Sequence, residues 1–233
     1  RSRSLSQFGR LINMKTKLKP VTYGLIFLIF IFVLIFSVLV SSFNKRIYKS
    51  VYRSDENIKE FSGFTEEEYL GEIKRLKGYL FNTREDSSLI DSVYSEDEVS
   101  HMKDVYKLFR MARIICLLSF FAAWFIIIKY KKNISSIDIS RRWHLFIVYP
   151  VLIFAPAIIN FEKFWTTFHK VLFSNDLWLM DPRYSLMINL LPEKIFYSIS
   201  MMTIILYFII VLVAVLCFRF FSKREEKVSY GTK

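Results

Sequence analysis

The chain has 233 residues, 53% apolar and 18% aromatic, with 33 Lys+Arg against 21 Asp+Glu and a formal net charge of +12. A soluble core of this size needs no apolar run of bilayer length. This sequence has several, so its positive surplus belongs beside a membrane rather than on a nucleic-acid surface.

Residues 1–13 lack the apolar character of the adjoining segment, and Met14-Lys-Thr-Lys-Leu-Lys has the form of a bacterial start, so 1–13 are expected to be a vector remnant. Residues 14–43 hold the N-terminus and a first transmembrane span. Its apolar stretch, Val21 to Phe43, is too long for a signal-peptide core and lacks a small-residue cleavage site. Residues 44–107 form a small helical domain. There Thr65 and Glu68 make a capping box, followed by Tyr69, Leu70, Ile73, Leu76 and Leu80 at helical spacing. A second box, Ser95 with Glu98, opens a helix that meets no Gly or Pro before Pro150 and so runs on into a second span, 108–130. Arg110 and Arg113, near its outer end, are expected to snorkel to lipid headgroups.

A loop at 131–142 leads to a third span, 143–159, kinked by Pro150 and Pro156. Residues 160–194 are unusually aromatic. Phe161, Phe164, Trp165, Phe168, His169 and Leu172 fall on one helical stripe, which is expected to lie in the membrane interface. Pro192 and Glu193 open a fourth span, 195–221, and 222–233 form a tail. Lys15, Lys17 and Lys19, the 129–142 segment and Arg219, Lys223 and Arg224 set the orientation: both termini in the cytoplasm, 44–107 and 160–194 outside. The expected fold is an all-α membrane protein of four transmembrane helices, with a small helical extracytoplasmic domain and an interfacial helix.

The six glycines (9, 24, 63, 71, 78 and 231) are too scattered for GxGxxG, GxxxxGK[ST] or GxSxG, which excludes the usual phosphate cradles and the nucleophile elbow. Cys116 and Cys217 lie in separate apolar spans and are not expected to pair. Of the three histidines, His144 sits at a cytoplasmic span end, whereas His101 and His169 lie on elements placed outside. His101 shares a helix face with Asp104, whose carboxylate could orient or charge the imidazole as a general base. Seven residues before the span puts His101 ~10 Å above the hydrocarbon, at the level of glycerol esters. His169 on its apolar stripe is by spacing alone a packed core histidine. Beyond it come Asn175, Asp176, Asp181, Arg183 and Tyr184 interleaved with Trp178, the aromatic walls and placed polar groups of a ligand site. Two histidines and two carboxylates could instead bind zinc in a membrane hydrolase, although no HExxH occurs. A non-enzymatic membrane partner is the third possibility.

The block Phe161-x-x-Phe-Trp-x-x-Phe-His169-x-x-x-Phe173-x-Asn175-Asp176-x-Trp178-x-x-Asp181-Pro182, with Ser95 to Val105 before it and Leu191-Pro192-Glu193 after, resembles the bacterial lipoprotein intramolecular transacylases. The likeness extends from Met14 to the fourth span. It implies an enzyme of the Gram-positive cell membrane that moves the sn-2 acyl chain of a diacylglyceryl lipoprotein to the α-amine of its own N-terminal cysteine. By that resemblance the catalytic residues are His101 and His169. Asp104, Asp176, Trp178, Asp181, Arg183 and Arg110 are carried as supporting or substrate-binding candidates. The partners implied are a lipoprotein substrate and membrane lipids, with no nucleic acid, no metal and no cofactor.

Overall fold

The computed structural model describes the backbone of residues 2–86, 90, 93–130 and 142–230, and side chains from 20 onward except 218, 219 and 221–230. The expected cytoplasmic loop lies outside the described residues apart from Arg142, as do 231–233 of the tail. Among the described residues every regular element is a helix: α1 (Ser2–Phe43), α2 (Lys45–Ser54), α3 (Glu56–Ser62), α4 (Glu66–Phe81), α5 (Glu96–Tyr130), α6 (Leu145–Ile159), α7 (Phe161–Leu172), α8 (Leu186–Leu190) and α9 (Glu193–Tyr230). The chain is an all-α membrane protein. Three helices are long and apolar enough to cross a bilayer, in Pro20–Phe43, Glu96–Tyr130 and Glu193–Cys217. The third span expected from sequence is shorter than its apolar run suggested. Helix α6 has 15 residues, ~22 Å of rise against a hydrocarbon core of ~30 Å. It reaches span length only together with α7, to which it is bent by 118°.

The short helices are stopped and started by local hydrogen bonds. Asn44 caps α2 by accepting from Arg46 N–H, and Asp55 caps α3 by accepting from Asn57 N–H. Gly63, in the left-handed region at φ 67°, ends α3 where a side chain would be strained. Both bonds of the Thr65–Glu68 box are present at α4, and Ser95 and Glu98 close a second box at α5, at 2.8 and 3.3 Å. Asn160 breaks α6 from α7, its side chain accepting from Lys163 N–H.

The chain divides into two compact units. One comprises 1–34, 115–153 and 207–233. In it Ile26, Phe30, Val33, Phe146 and Tyr207 pack together, and the Tyr207 hydroxyl donates to the Phe146 carbonyl. Leu117, Leu118, Phe121, Trp124 and Phe125 of α5 face outward, more than half exposed; these are side chains for lipid to cover. Cys116 and Cys217 are both free.

The other unit, 35–114 and 154–206, carries a core rich in tyrosine. Tyr48, Tyr52, Tyr69 and Tyr106 bury their rings and donate their hydroxyls to the carbonyls of Ser42, Phe64, Leu190 and Asn82. The rings supply apolar area, and each hydroxyl satisfies a carbonyl at a helix end or turn. Arg113 does not reach for lipid as expected. Its guanidinium donates to the carbonyls of Phe81 and Asn82 and lies 5.4 Å from the Phe81 ring, so it caps the end of α4. The aromatic stripe of α7 also faces protein: Phe161 packs edge-on to Tyr197, and Trp165 stacks on Phe196, both on α9.

One carboxylate ties this unit together. Glu98, 3% exposed, accepts from Ser95 N–H through Oε2, and from Ser185 Oγ (2.6 Å) and Met187 N–H (2.8 Å) through Oε1. The start of α5 is thereby fixed to the start of α8. Burial opposes its ionisation, but the bonds from Ser185, Met187 and Ser95 outweigh that and hold its pKa below the ordinary glutamate value. Hydrogen bonds to a charged acceptor contribute ~1.5–3 kcal/mol each, and Ala would strand the Met187 N–H and the Ser185 hydroxyl. Glu98→Ala is therefore expected to destabilise the protein by ~3 kcal/mol or more, read as a lowered Tm in detergent. A Tm unchanged from the parent would remove Glu98 from this role.

Candidate active site

His101 lies one turn beyond Glu98 on α5, and His169 lies in the last turn of α7. The fold brings them together, with ring centroids 6.2 Å apart and planes 28° from parallel. Phe173, in the loop after α7, touches both, at 5.1 Å from His101 and 5.6 Å from His169. Trp178 stacks on His169 at 4.9 Å, and Trp165 meets it edge-on at 4.4 Å. Both histidines are buried.

The hydrogen bonds set the chemistry of the two rings apart. His169 Nδ1 is 2.8 Å from the carbonyl of Trp165, one turn back on α7. A carbonyl only accepts, so Nδ1 carries the ring proton and Nε2 keeps a free lone pair. His101 Nδ1 is buried with no hydrogen-bond partner. Burial lowers the His101 pKa, the neighbouring His169 lowers it further and Asp104 pulls it back up, leaving it at about 4. Burial likewise lowers that of His169, against the Trp165 carbonyl, which raises it. Both imidazoles are neutral at pH 7. His101 precedes the apolar run of α5, which begins near Leu108, and His169 lies on the short helix α7.

Asp104 does not orient His101. Its Oδ2 accepts from Asn175 Nδ2 at 2.9 Å and its Oδ1 from Lys107 Nζ at 3.0 Å. The two residues share a helix face as their spacing predicts, but other donors take both carboxylate oxygens. Burial opposes the Asp104 charge, and these two bonds overcome it, keeping the carboxylate ionised as a fixed negative charge near His101. Asn175 also accepts from Leu177 N–H, so Asp104 fastens the loop that carries Phe173 and Trp178.

Of the remaining candidates, Trp178 joins the histidines and the others do not. Asp181 accepts from the N–H and guanidinium of Arg183, an exposed pair that shapes its own turn. Asp176 is exposed and its carbonyl accepts from Leu179 N–H; Arg110 is exposed. Sequence reasoning missed Phe173 and Trp165 as parts of the site, although the signal was present, since they stand four residues either side of His169; Asn175, expected among the polar groups of the site, acts through Asp104. Among the described residues no three His, Cys, Asp or Glu side chains converge as metal ligands, and two imidazoles fall short of the three or four protein ligands zinc takes.

Comparison with known proteins places this chain in a family. The model described as lipoprotein intramolecular transacylase Lit matches residues 23–197. No curated protein sequence matches. A membrane-integral lipoprotein intramolecular transacylase Lit from Bacillus cereus, solved in meso, is 22% identical over 90% of this chain and 97% of its own, with a TM-score of 0.77. A histidine-to-alanine variant of that protein is 21% identical over 94% and 99%, with a TM-score of 0.78. At such identity the structures speak for the fold, and the family model for the family.

Because the folded His101 pKa lies below the free value of ~6.5, this ring stabilises the fold fully above ~6.5 and loses that contribution as pH falls toward about 4. Imidazole nitrogen NMR of the labelled protein is expected to show His101 neutral at pH 5.5, with Tm falling from pH 6.5 to 4. A His101 signal midway through protonation at pH 6.5 would contradict the buried, neutral pair.

Proposed function

This chain belongs to the lipoprotein intramolecular transacylase Lit family of membrane-integral enzymes, and on that footing we propose its reaction: the sn-2 acyl chain of a diacylglyceryl lipoprotein moves to the α-amine of the same molecule's N-terminal cysteine. The observation that carries this reading is the pair of buried, neutral imidazoles 6.2 Å apart, one with its Nε2 lone pair free.

In the proposed reaction the amine nitrogen attacks the ester carbonyl. His169 Nε2 takes the proton the amine must lose, and His101 gives its ring proton to the departing sn-2 oxygen. The C–N bond forms, the C–O bond breaks, and return of the proton from His169 to His101 restores both rings. Neutrality suits these roles, since a protonated His169 could not act as base. No covalent enzyme intermediate is required, because amine and ester belong to one molecule and proximity substitutes for it. Phe173, Trp165 and Trp178 exclude water, which favours the amine as nucleophile over hydrolysis.

We further propose that 44–107 and 160–194 are extracytoplasmic and both termini cytoplasmic, putting the imidazoles at the outer leaflet, where such esters lie. The basic residues at the opposite helix ends support this orientation.

His101→Ala and His169→Ala are each expected to lower turnover ~10²- to 10⁴-fold with normal expression, while His144→Ala, at an exposed position, keeps activity. Near-normal turnover in either of the first two would end the two-histidine mechanism. The acyl shift itself is an isomerisation. A diacylated lipopeptide should keep its intact mass on conversion, while fragmentation finds an acyl group on the amine, which no longer reacts with amine reagents. Stoichiometric free fatty acid would instead indicate a hydrolase.

A further inference from the structure

We infer that Lys45, Arg46 and Lys77 form a seat for the phosphate of an anionic phospholipid at the outer membrane surface. The apolar run of α1 ends at Phe43, and α2 begins two residues later with Lys45 and Arg46, both exposed. Lys77 of α4 reaches the same point, donating to the Phe43 carbonyl at 3.2 Å and lying 4.5 Å over the Tyr48 ring. The rings of Phe43 and Phe81 meet at 3.7 Å, holding the ends of α1 and α4 together. Lys45 and Lys77 are therefore close enough to feel each other's charge, with Arg46 next to Lys45 in the chain, where the apolar run of α1 ends.

The described residues supply them with no counter-charge. At the far end of α2, Glu66 pairs with Lys49 and Arg53, whereas among the described residues no ion pair is formed by Lys45, Arg46 or Lys77. The crowding is felt within the cluster: burial and then the Lys45 charge lower the Lys77 pKa. The first turn of α2 holds no acidic residue, so the positive end of its dipole adds to the same potential. Cations beside a span are ordinarily a cytoplasmic feature, yet these stand at the opposite end of α1 from Lys15, Lys17 and Lys19. A collar of this kind attracts anionic lipid. The ester and amine of the proposed substrate carry no phosphate, so the seat is distinct from the reacting site.

The inference rests on the proposed orientation, with Phe43 at the outer end of its span, and not on the acyl shift. The full chain, purified in mild detergent, would be offered phosphatidylglycerol and phosphatidylcholine in equal amounts and its retained lipid read by native mass spectrometry. Preferential retention of phosphatidylglycerol is expected, falling about 5-fold per charge removed in Lys45→Gln and Arg46→Gln and further in the double variant, with Tm and acyl shift in phosphatidylcholine preserved. Equal retention of the two lipids by the parent protein, or an undiminished preference in the double variant, would overturn the proposal. So would displacement by millimolar inorganic phosphate, which would assign the cations to a free anion. External labelling of a cysteine introduced at Ser50 checks the orientation, and protection there would sink the outer-surface assignment. A persisting lipid preference without any acyl shift would defeat the reaction alone.

Discussion

The buried carboxylate of Glu98 anchors the site, because a charge taken out of water must be paid for by donors, and it finds them in Ser95, Ser185 and Met187, drawn from two segments distant in sequence. The bonds at Ser185 and Met187 fix the far end of the loop that starts at Phe173. The Asp104–Asn175 bond fixes the near end. Between these two ties lies Trp178, stacked on His169. Both ties start from α5, at positions three residues either side of His101, so the helix that carries one imidazole also holds the wall of the other.

Burial makes the two histidines a pair rather than two separate bases. With aromatic rings on several sides, the cost of desolvating a positive charge exceeds what nearby Asp104 returns to His101, and the imidazoles remain neutral. The Trp165 carbonyl then chooses the tautomer of His169. The rings thus differ in what their nitrogens can do, although their residue type and burial are alike. The same arrangement explains the aromatic stripe of α7: it supplies the packing surface that carries His169 out of water.

In a bilayer, polar backbone groups must be satisfied within the protein, and the chain meets that demand with helices in its spans and with capping side chains where they end. Tyrosines extend the solution into the other unit, burying a ring and returning a hydroxyl to a carbonyl. Arg113 acts in the same way, closing the last carbonyls of α4.

Short-range chemistry along the chain is enough to read α4, the start of α5, the capping boxes at Thr65 and Ser95, and the three longest apolar spans, because these depend on neighbours within a few residues; the short helices α2, α3 and α8 were not read from it. His101, His169 and Trp178, singled out by their surroundings in the chain and by the family resemblance, are neighbours in the fold. Which groups meet is settled only in the folded chain. Asp104 shares a helix face with His101 but gives its oxygens to Lys107 and to Asn175, the latter 71 residues away, and Glu98, readable only as a cap, binds a helix start 89 residues away. Arg113 turned from lipid to the end of α4, and α7 turned its aromatic face to α9. Hydrophobic periodicity fixes that a face is covered, not by what, and hydrogen bonds between distant segments leave no periodic trace in the chain.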